Sequence, residues 1–236
     1  MRFLSPIKIG GFLLACSIAL NVFAQSTKTV AVRSFTNLAV SNGIDLIITQ
    51  GGAEKVEIKG QQDLIRDVVI LQEGNQLSIK YKEGVNLNRL FRDGEIQVYV
   101  TVKKLNGLSA SGGSDVETRT IINTDKISIN SSGGSDLDLH IVCKDISLSS
   151  SGGSDVSLKG SAENMILNTS GGSDVDAFDF KVNYAKVNTS GGSDANVYVN
   201  KGLTANATGG SDITYRGSAA LKKTSNSKSA DITHVN

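Results

Sequence analysis

The sequence predicts an all-β fold, a parallel β-helix (solenoid) with about 20 residues per coil. Six pentapeptides of the form Ser/Thr-Gly-Gly-Ser-Asp recur along the second half of the chain. A repeat of this length with strand-like flanks is typical of stacked coils, each of which buries its apolar residues only against its neighbours. The aspartates are separated by 21, 19, 19, 20 and 18 residues, at Asp115, Asp136, Asp155, Asp174, Asp194 and Asp212.

Residues on both sides of each pentapeptide alternate between apolar and polar types. In one coil, Leu148 precedes the pentapeptide and Val156 and Leu158 follow it, whereas Ser149 and Ser157 occupy the intervening positions. Because side chains two apart share one face of a strand, this pattern indicates a strand on each side of a Gly-Gly corner. A helix would need apolar residues three and four apart, and would lose roughly 1 kcal/mol at each glycine.

The first 24 residues have the features of a signal peptide. Arg2 and Lys8 accompany a short apolar stretch, and Val22-Phe23-Ala24 provides a signal-peptidase site before residue 25. Cleavage would leave a mature chain, residues 25–236, with no transmembrane span. We therefore predict export to the periplasm, the outer-membrane surface or the extracellular space. Lipoprotein anchoring through Cys16, which follows Leu-Leu-Ala, is the less favoured alternative.

The mature chain reads as one β-helix domain. Residues 25–105 predict irregular N-terminal coils, of which Ser41-Asn42-Gly43-Ile44-Asp45 fits the frame of the pentapeptides. Between residues 52 and 105 the period is lost, and the pattern allows either complete coils or a flanking sheet. Residues 85–92 are the expected irregular loop. Residues 106–236 predict regular coils, and residues 228–234 predict a degenerate terminal coil that covers the open edge.

Composition excludes several classes of function. The chain has 24 Lys and Arg against 23 Asp and Glu, so no nucleic-acid partner is expected. Aromatic residues make up 5%, which disfavours an aromatic-lined cleft. After cleavage only Cys143 remains, so no intrachain disulfide is expected. With His140 and His234 as the two histidines, no Ser-His-Asp arrangement is evident, and we predict that the protein is not an enzyme.

The segment around Asp45 and the repeated pentapeptides resemble a family of exported bacterial proteins, the DUF2807-like "putative autotransporter adhesin, head GIN domain" family. The resemblance rests on residues 40–45, residues 47–51 and the Ser-Gly-Gly-Ser-Asp repeats, and it covers residues 30–215. It implies a right-handed parallel β-helix at the cell envelope or surface. We predict that the protein acts there as a non-catalytic, adhesin-like binding or structural module. A polysaccharide-acting lyase or hydrolase is the alternative, because stacked aspartates could supply paired carboxylates.

The pentapeptides have a structural interpretation. Glycine pairs permit corners with positive φ, and Ser and Asp side chains can bond to backbone groups that such corners leave unpaired. The predicted corner residues are Gly112, Gly113, Asp115, Gly133, Gly134, Gly152, Gly153, Gly171, Gly172, Gly191, Gly192, Asp194, Gly209, Gly210 and Asp212.

Two binding interpretations stand beside the structural one. Asp136, Asp155 and Asp174 in the middle of the stack could hold Ca²⁺, although the spacing differs from the calcium-binding nonapeptide repeat. No other cofactor is expected. Polar rows that include Asn168 and Asn188 could instead face a glycan or ice, although the threonines nearby are expected to point inward. A glycan or a surface protein is therefore the expected partner, and open solenoid ends could pair into oligomers.

Overall fold

The computed structural model describes residues 26–85, 96–225 and 227–236, and the predicted signal peptide and residues 86–92 of the predicted loop lie outside them. The described residues form a β-solenoid of about seven turns of about 19 residues each, which confirms the predicted fold class. The strands are β1 (Ser26–Val30), β2 (Asn37–Ser41), β3 (Asp45–Gln50), β4 (Lys55–Gly60), β5 (Val68–Glu73), β6 (Gln76–Tyr81), β7 (Gln97–Val102), β8 (Gly107–Ser111), β9 (Val116–Thr118), β10 (Ile122–Ser132), β11 (Asp136–Ser151), β12 (Asp155–Gly171), β13 (Asp174–Gly191), β14 (Asp194–Gly209), β15 (Asp212–Arg216), β16 (Ala220–Lys223) and β17 (Ile232–His234).

The regular coils stack as parallel strands in register. Each of β11 to β14 begins at the aspartate of one pentapeptide and ends at the next corner. Asp155 pairs with Asp136 on one side and with Asp174 on the other, and the following coils continue this order. Equivalent residues therefore form columns along the solenoid, about 4.8 Å apart. We call the part of a coil that follows the aspartate its post-corner segment, and the part that precedes the glycines its pre-corner segment.

The N-terminal end does not follow chain order. β2 and β3 form one coil, with β8 and β9 stacked in parallel on one side and β6 and β7 on the other. After β3 the chain therefore leaves the stack, adds a coil that contains β6 and β7 beyond β2 and β3, and returns at β8. Antiparallel strands extend this end, with β4 on β7, β1 on β4 and β5 on β6. For residues 52–105 the sequence allowed either complete coils or a flanking sheet, and the strands described there form both a coil and flanking strands.

Inward-facing columns form one continuous apolar core. Leu148, Leu167 and Val187 occupy the same column in successive coils, and each is fully buried. At the N-terminal end, the helix α1 (Gln62–Ile65) adds Leu64 and Ile65 to this core. Because side chains fill the interior along the stack, the solenoid is closely packed, and surfaces that could contact a partner lie on the outside.

The C-terminal end is covered by short strands. β16 pairs with β14, and β17 pairs with β15 in the register of the earlier coils. The His234 ring packs against Tyr215 at a centroid distance of 4.9 Å, and Ala230 is buried. The segment predicted to form a degenerate terminal coil thus supplies the last strand, and it covers a smaller area than a full coil does.

Candidate functional site

Gly-Gly corners join the pre-corner and post-corner segments, and they adopt two conformations. In the earlier corners both glycines have positive φ, at Gly112, Gly113, Gly133, Gly134, Gly152 and Gly153. In the later corners the first glycine has a positive φ, at Gly171, Gly191 and Gly209. The second glycine does not, at Gly172, Gly192 and Gly210. Asn42 and Gly43, with φ of 70° and 73°, repeat the earlier conformation. Identical dipeptides therefore make different turns in the two halves of the stack.

A column of buried serines lies inside the corners. The serine before each aspartate is fully buried, at Ser114, Ser135, Ser154, Ser173, Ser193 and Ser211. In four of them, Ser135, Ser154, Ser193 and Ser211, the hydroxyl donates to the carbonyl three residues earlier, as from Ser154 Oγ to Ser151 O at 2.9 Å. The Ser173 hydroxyl also accepts from the backbone N–H of Ser154 at 3.3 Å. The predicted bonding to backbone groups thus includes carbonyls as well as amides, and it lies inside the solenoid.

Small polar side chains in the pre-corner segment complete this internal network. Thr189 Oγ1 lies 2.9 Å from Ser211 Oγ, and Thr169 Oγ1 lies 3.1 Å from Ser193 Oγ. Thr169 and Thr189 are 3% and 2% exposed, so they point inward as the alternation predicts. Thr169 and Thr189 therefore contribute no hydroxyls to an outward surface for a glycan or ice.

The aspartates point outward and link successive coils. Asp174 Oδ1 accepts a hydrogen bond from the backbone N–H of Asp194 at 3.2 Å, and Asp194 Oδ1 accepts one from Asp212 at 3.2 Å. Asp212 Oδ1 accepts in the same way from Asp231 at 3.0 Å. Each of these carboxylates therefore binds the backbone N–H of the equivalent aspartate in the next coil. The aspartate column thus has a structural role in the C-terminal half of the stack.

An acidic groove of about 620 Å³ runs beside the aspartates in the N-terminal half. Its lining includes Ile47 and Arg119, and the Arg119 Nε donates to Glu117 Oε1 at 3.0 Å. This hydrogen bond to Glu117 raises the pKa of Arg119, which stays charged. The groove is nevertheless negative, because its carboxylates are Asp45, Asp115, Glu117, Asp136, Asp138, Asp155, Asp174 and Asp176. It attracts cations and repels anions.

The predicted calcium ligands lie on adjacent coils but do not converge. Asp136, Asp155 and Asp174 are register partners along the groove. Among the described residues, no three Asp, Glu, His or Cys side chains are grouped closely enough to hold a metal ion. Asp138, which could have added a ligand, is instead 3.2 Å from Lys159 Nζ. Calcium binding therefore stays a prediction from the sequence.

Replacing Asp155 with asparagine tests the charge of the column. Asp155 lies between Asp136 and Asp174, and like charges about 5 Å apart repel by roughly 0.8 kcal/mol in water. We expect Asp155→Asn to raise the free energy of unfolding by about 0.5 kcal/mol at low salt, and the gain to shrink in 0.5 M NaCl. Urea denaturation of residues 25–236 measures both. A rise in melting temperature with millimolar Ca²⁺ that Asp155→Asn abolishes would instead establish an ion site.

Uncharged polar side chains form two outward rows on the pre-corner segments. The first row contains Asn130, Ser149, Asn168, Asn188 and Asn206, and the second contains Ser132, Ser151, Ser170, Ser190 and Thr208. Asn188 Nδ2 donates to Asn168 Oδ1 at 2.9 Å, so the amides bond along the row. We call these two rows the polar rows. They present hydroxyl and amide groups at a fixed repeat and carry no charge.

Several surface residues were missed by sequence reasoning. Lys59 Nζ lies 4.1 Å from the Tyr99 ring centroid, and Lys201 Nζ lies 5.5 Å from that of Tyr184. These pairs join different strands that are distant in sequence, so no short motif could reveal them. Cys143, the remaining cysteine, is half-buried. Burial, and then the charge of Asp145, raise the pKa of its thiol to about 11, which makes it a poor nucleophile.

The fold and its outer surfaces define the protein as a β-solenoid with repeating outward columns, and no helix in the described part is long and apolar enough to cross a membrane. Residues 34–219 match the family described as "Putative auto-transporter adhesin, head GIN domain". The chain belongs to this family, as its repeats indicated. No curated protein matches the sequence.

Solved structures share the fold. A putative adhesin from Bacteroides fragilis superimposes with a TM-score of 0.81 at 22% identity, over 90% of this chain and 97% of that chain. A putative adhesin from Parabacteroides distasonis has a TM-score of 0.73 at 21% identity, with the same coverage. A putative lipid binding protein from that organism also has a TM-score of 0.73, at 18% identity and the same coverage. At these identities the likeness shows the fold alone.

Proposed function

We propose that this chain is an exported, non-catalytic, adhesin-like module of the cell envelope that binds a repetitive ligand through its polar rows. The observation that carries the proposal is the register of the coils, which places Asn168, Asn188 and Asn206 at equivalent positions on successive rungs. Support comes from the adhesin description of the family and from the features of a signal peptide in residues 1–24. Each coil adds one more copy of the same contacts.

Repetition on a rigid support favours avidity. One exposed amide or hydroxyl adds little affinity, but contacts linked on one body combine, because binding at the first raises the effective concentration at the next. The apolar core fixes the rows before the ligand arrives, so little conformational entropy is lost on binding. A ligand with its own regular repeat gains most from such a surface.

The surface chemistry favours a hydroxyl-rich ligand. Amides and hydroxyls in the polar rows can donate and accept hydrogen bonds, and they match the hydroxyls of a glycan. A lipid would need an apolar cavity, whereas the interior of the described coils is filled by residues such as Leu167 and Phe180, both fully buried. Catalysis would need one coil to differ from the others, whereas the corner aspartates occupy equivalent positions along the stack.

Single and double substitutions in the polar rows test this function. We expect Asn168→Ala and Asn188→Ala each to weaken the binding of residues 25–236 to immobilised mucin about two- to fivefold. The double variant should bind more weakly than either, by less than the product, because the two amides are hydrogen-bonded to each other. Asn196→Ala, in the post-corner segment of a neighbouring coil, is the matched control and should bind normally. Surface plasmon resonance measures the affinities, and a reducing-sugar assay detects any cleavage.

Two results would count against the proposal. Unchanged binding in the double variant would mean that the rows are not the binding surface. Release of reducing sugar that is abolished by one corner substitution, such as Asp155→Asn, would make the protein a polysaccharide-acting enzyme instead.

A further inference from the structure

An exposed tyrosine lies beside the polar rows, with its ring resting on a glycine of the next coil. Tyr184 in β13 is 49% exposed and is the register partner of Gly202 in β14. A Cβ atom at Gly202 would lie 3.2 Å from Tyr184 Cδ1, so the ring occupies space that any other residue would fill. The backbone of the neighbouring coil supports the ring, and half of its surface stays open to solvent.

One lysine lies over this ring, and a second lies on the same face of its strand. Lys201 Nζ is 5.5 Å from the ring centroid and 3.8 Å from Glu163 Oε1. Lys186 follows Tyr184 by two residues on the same strand, so both point to the same side. No carboxylate of the described residues lies within ion-pair distance of the Lys186 ammonium, so it can accept an anionic partner.

The charge of this region differs from that of the acidic groove. Residues 179–223 contain six basic residues, Lys181, Lys186, Lys201, Arg216, Lys222 and Lys223, and three acidic ones, Asp179, Asp194 and Asp212. Asp194 and Asp212 belong to the corner column and use a carboxylate oxygen to bind the next coil. Beside Tyr184 itself, the two ammonium groups of Lys186 and Lys201 are accompanied by one carboxylate, Glu163, so this region complements an anion, whereas the groove repels one.

We propose that Tyr184, Lys186 and Lys201 form a subsite for an acidic sugar, a pyranose that carries a carboxylate, within a glycan that lies along the polar rows. The inference rests on the proposed function and names the class of its ligand. The C–H face of the pyranose stacks on the open side of the Tyr184 ring, and its carboxylate pairs with the lysine ammonium groups. Neighbouring sugars place their hydroxyls on the amides and hydroxyls of the rows.

Glu163 limits this subsite in a testable way. Its carboxylate lies near the Lys201 ammonium and accepts a hydrogen bond from Asn183 Nδ2 at 2.6 Å. A bound sugar carboxylate would compete with it for Lys201. Glu163→Gln removes the competing charge and keeps an oxygen for Asn183, so this variant should bind an acidic glycan more tightly.

Affinity electrophoresis in gels that contain polygalacturonate, an acidic polymer, or amylose, a neutral one, tests the subsite. Mobility is normalised to gels without polymer, which removes the effect of each substitution on charge. We expect wild-type residues 25–236 to be retarded by polygalacturonate far more than by amylose. Tyr184→Ala should weaken the interaction about tenfold, and Tyr184→Phe should preserve it. Lys186→Gln and Lys201→Gln should each weaken it about two- to fivefold.

Matched controls separate the subsite from general effects of charge and surface. Leu71→Ala changes another exposed apolar residue, 41% exposed, and Lys28→Gln changes a lysine in β1. Neither should alter retardation by polygalacturonate. Circular dichroism melts of each variant show whether it is folded.

Three outcomes would overturn the subsite. Equal retardation by amylose and polygalacturonate would show that the subsite does not prefer an acidic sugar. A loss in Lys28→Gln as large as that in Lys201→Gln would show general binding of a polyanion. Unchanged binding in Tyr184→Ala would show that the Tyr184 ring does not contribute to binding. In each case the mucin binding of the Asn168 and Asn188 variants still reports on the proposed function, so the two failures are distinguishable.

Discussion

Replacing Gly191 with alanine is expected to lower the free energy of unfolding by about 3 kcal/mol, whereas Gly192→Ala should change it by less than about 0.5 kcal/mol. Gly191 has a φ of 80°, which side chains rarely adopt, and a Cβ there would lie 2.8 Å from Gly171 O. Gly192 lacks a positive φ, and its Cβ would meet Gly171 O at an ordinary 3.7 Å.

Chemical denaturation of the two variants, followed by circular dichroism, measures this difference. The pair is matched, because both glycines occupy one corner and each substitution adds one methyl group. Gly134→Ala extends the test, since Gly134 is a second glycine that does have a positive φ, 76°, and it should be destabilising. Equal stability of the Gly191 and Gly192 variants would show that the later corners do not adopt the conformation described.

Phe180→Ala is expected to destabilise the protein by about 4 kcal/mol, because it removes a fully buried aromatic ring from the core. The register partner of Phe180 in the preceding coil is Gly160, which has no side chain to fill the interior. The Phe180 ring therefore fills the interior volume that Gly160 leaves empty. Its removal would open a cavity that the neighbouring coils could close only by a shift of their backbones.

Phe178→Ala provides the control for the buried ring. Phe178 lies two residues earlier in β13, is only partly buried, and stacks on the Arg216 guanidinium at 4.1 Å. Its removal should cost less than about 1 kcal/mol, because a partly exposed cation–π contact is weak. Urea denaturation distinguishes the two variants, and comparable losses would contradict the inward orientation of Phe180.

Much of the fold could be predicted because each coil repeats one local pattern. The period of the aspartates and the alternation around Leu148 and Val156 were enough to define parallel stacked coils with the correct inward columns. The inward direction of Thr169 followed from the same alternation. The strands and the inward direction of their side chains depend on residues close together in sequence, so they can be predicted from local sequence patterns.

Features that join distant parts of the chain could not be predicted. The coil formed by β6 and β7 lies outside β2 and β3, although it follows them in sequence, and no period marks that order. The two corner conformations share the same Gly-Gly sequence, and the later corners are marked by backbone bonds between coils, from Gly192 N to Gly171 O and from Gly210 N to Gly191 O. The ring of Tyr184 likewise rests on Gly202 of the next coil.

The number of coils tests the central claim most directly. Residues 133–151 begin at a corner glycine and end at the serine before the next corner, so this segment can be duplicated or deleted without changing the frame of the stack. Duplication adds a rung to both polar rows and deletion removes one. The measurement is the affinity of the three proteins for immobilised mucin by surface plasmon resonance, after circular dichroism has shown that each is folded. Binding through repeated rows predicts tighter binding on duplication and weaker binding on deletion, by similar factors. Equal affinity of the three folded proteins would contradict it.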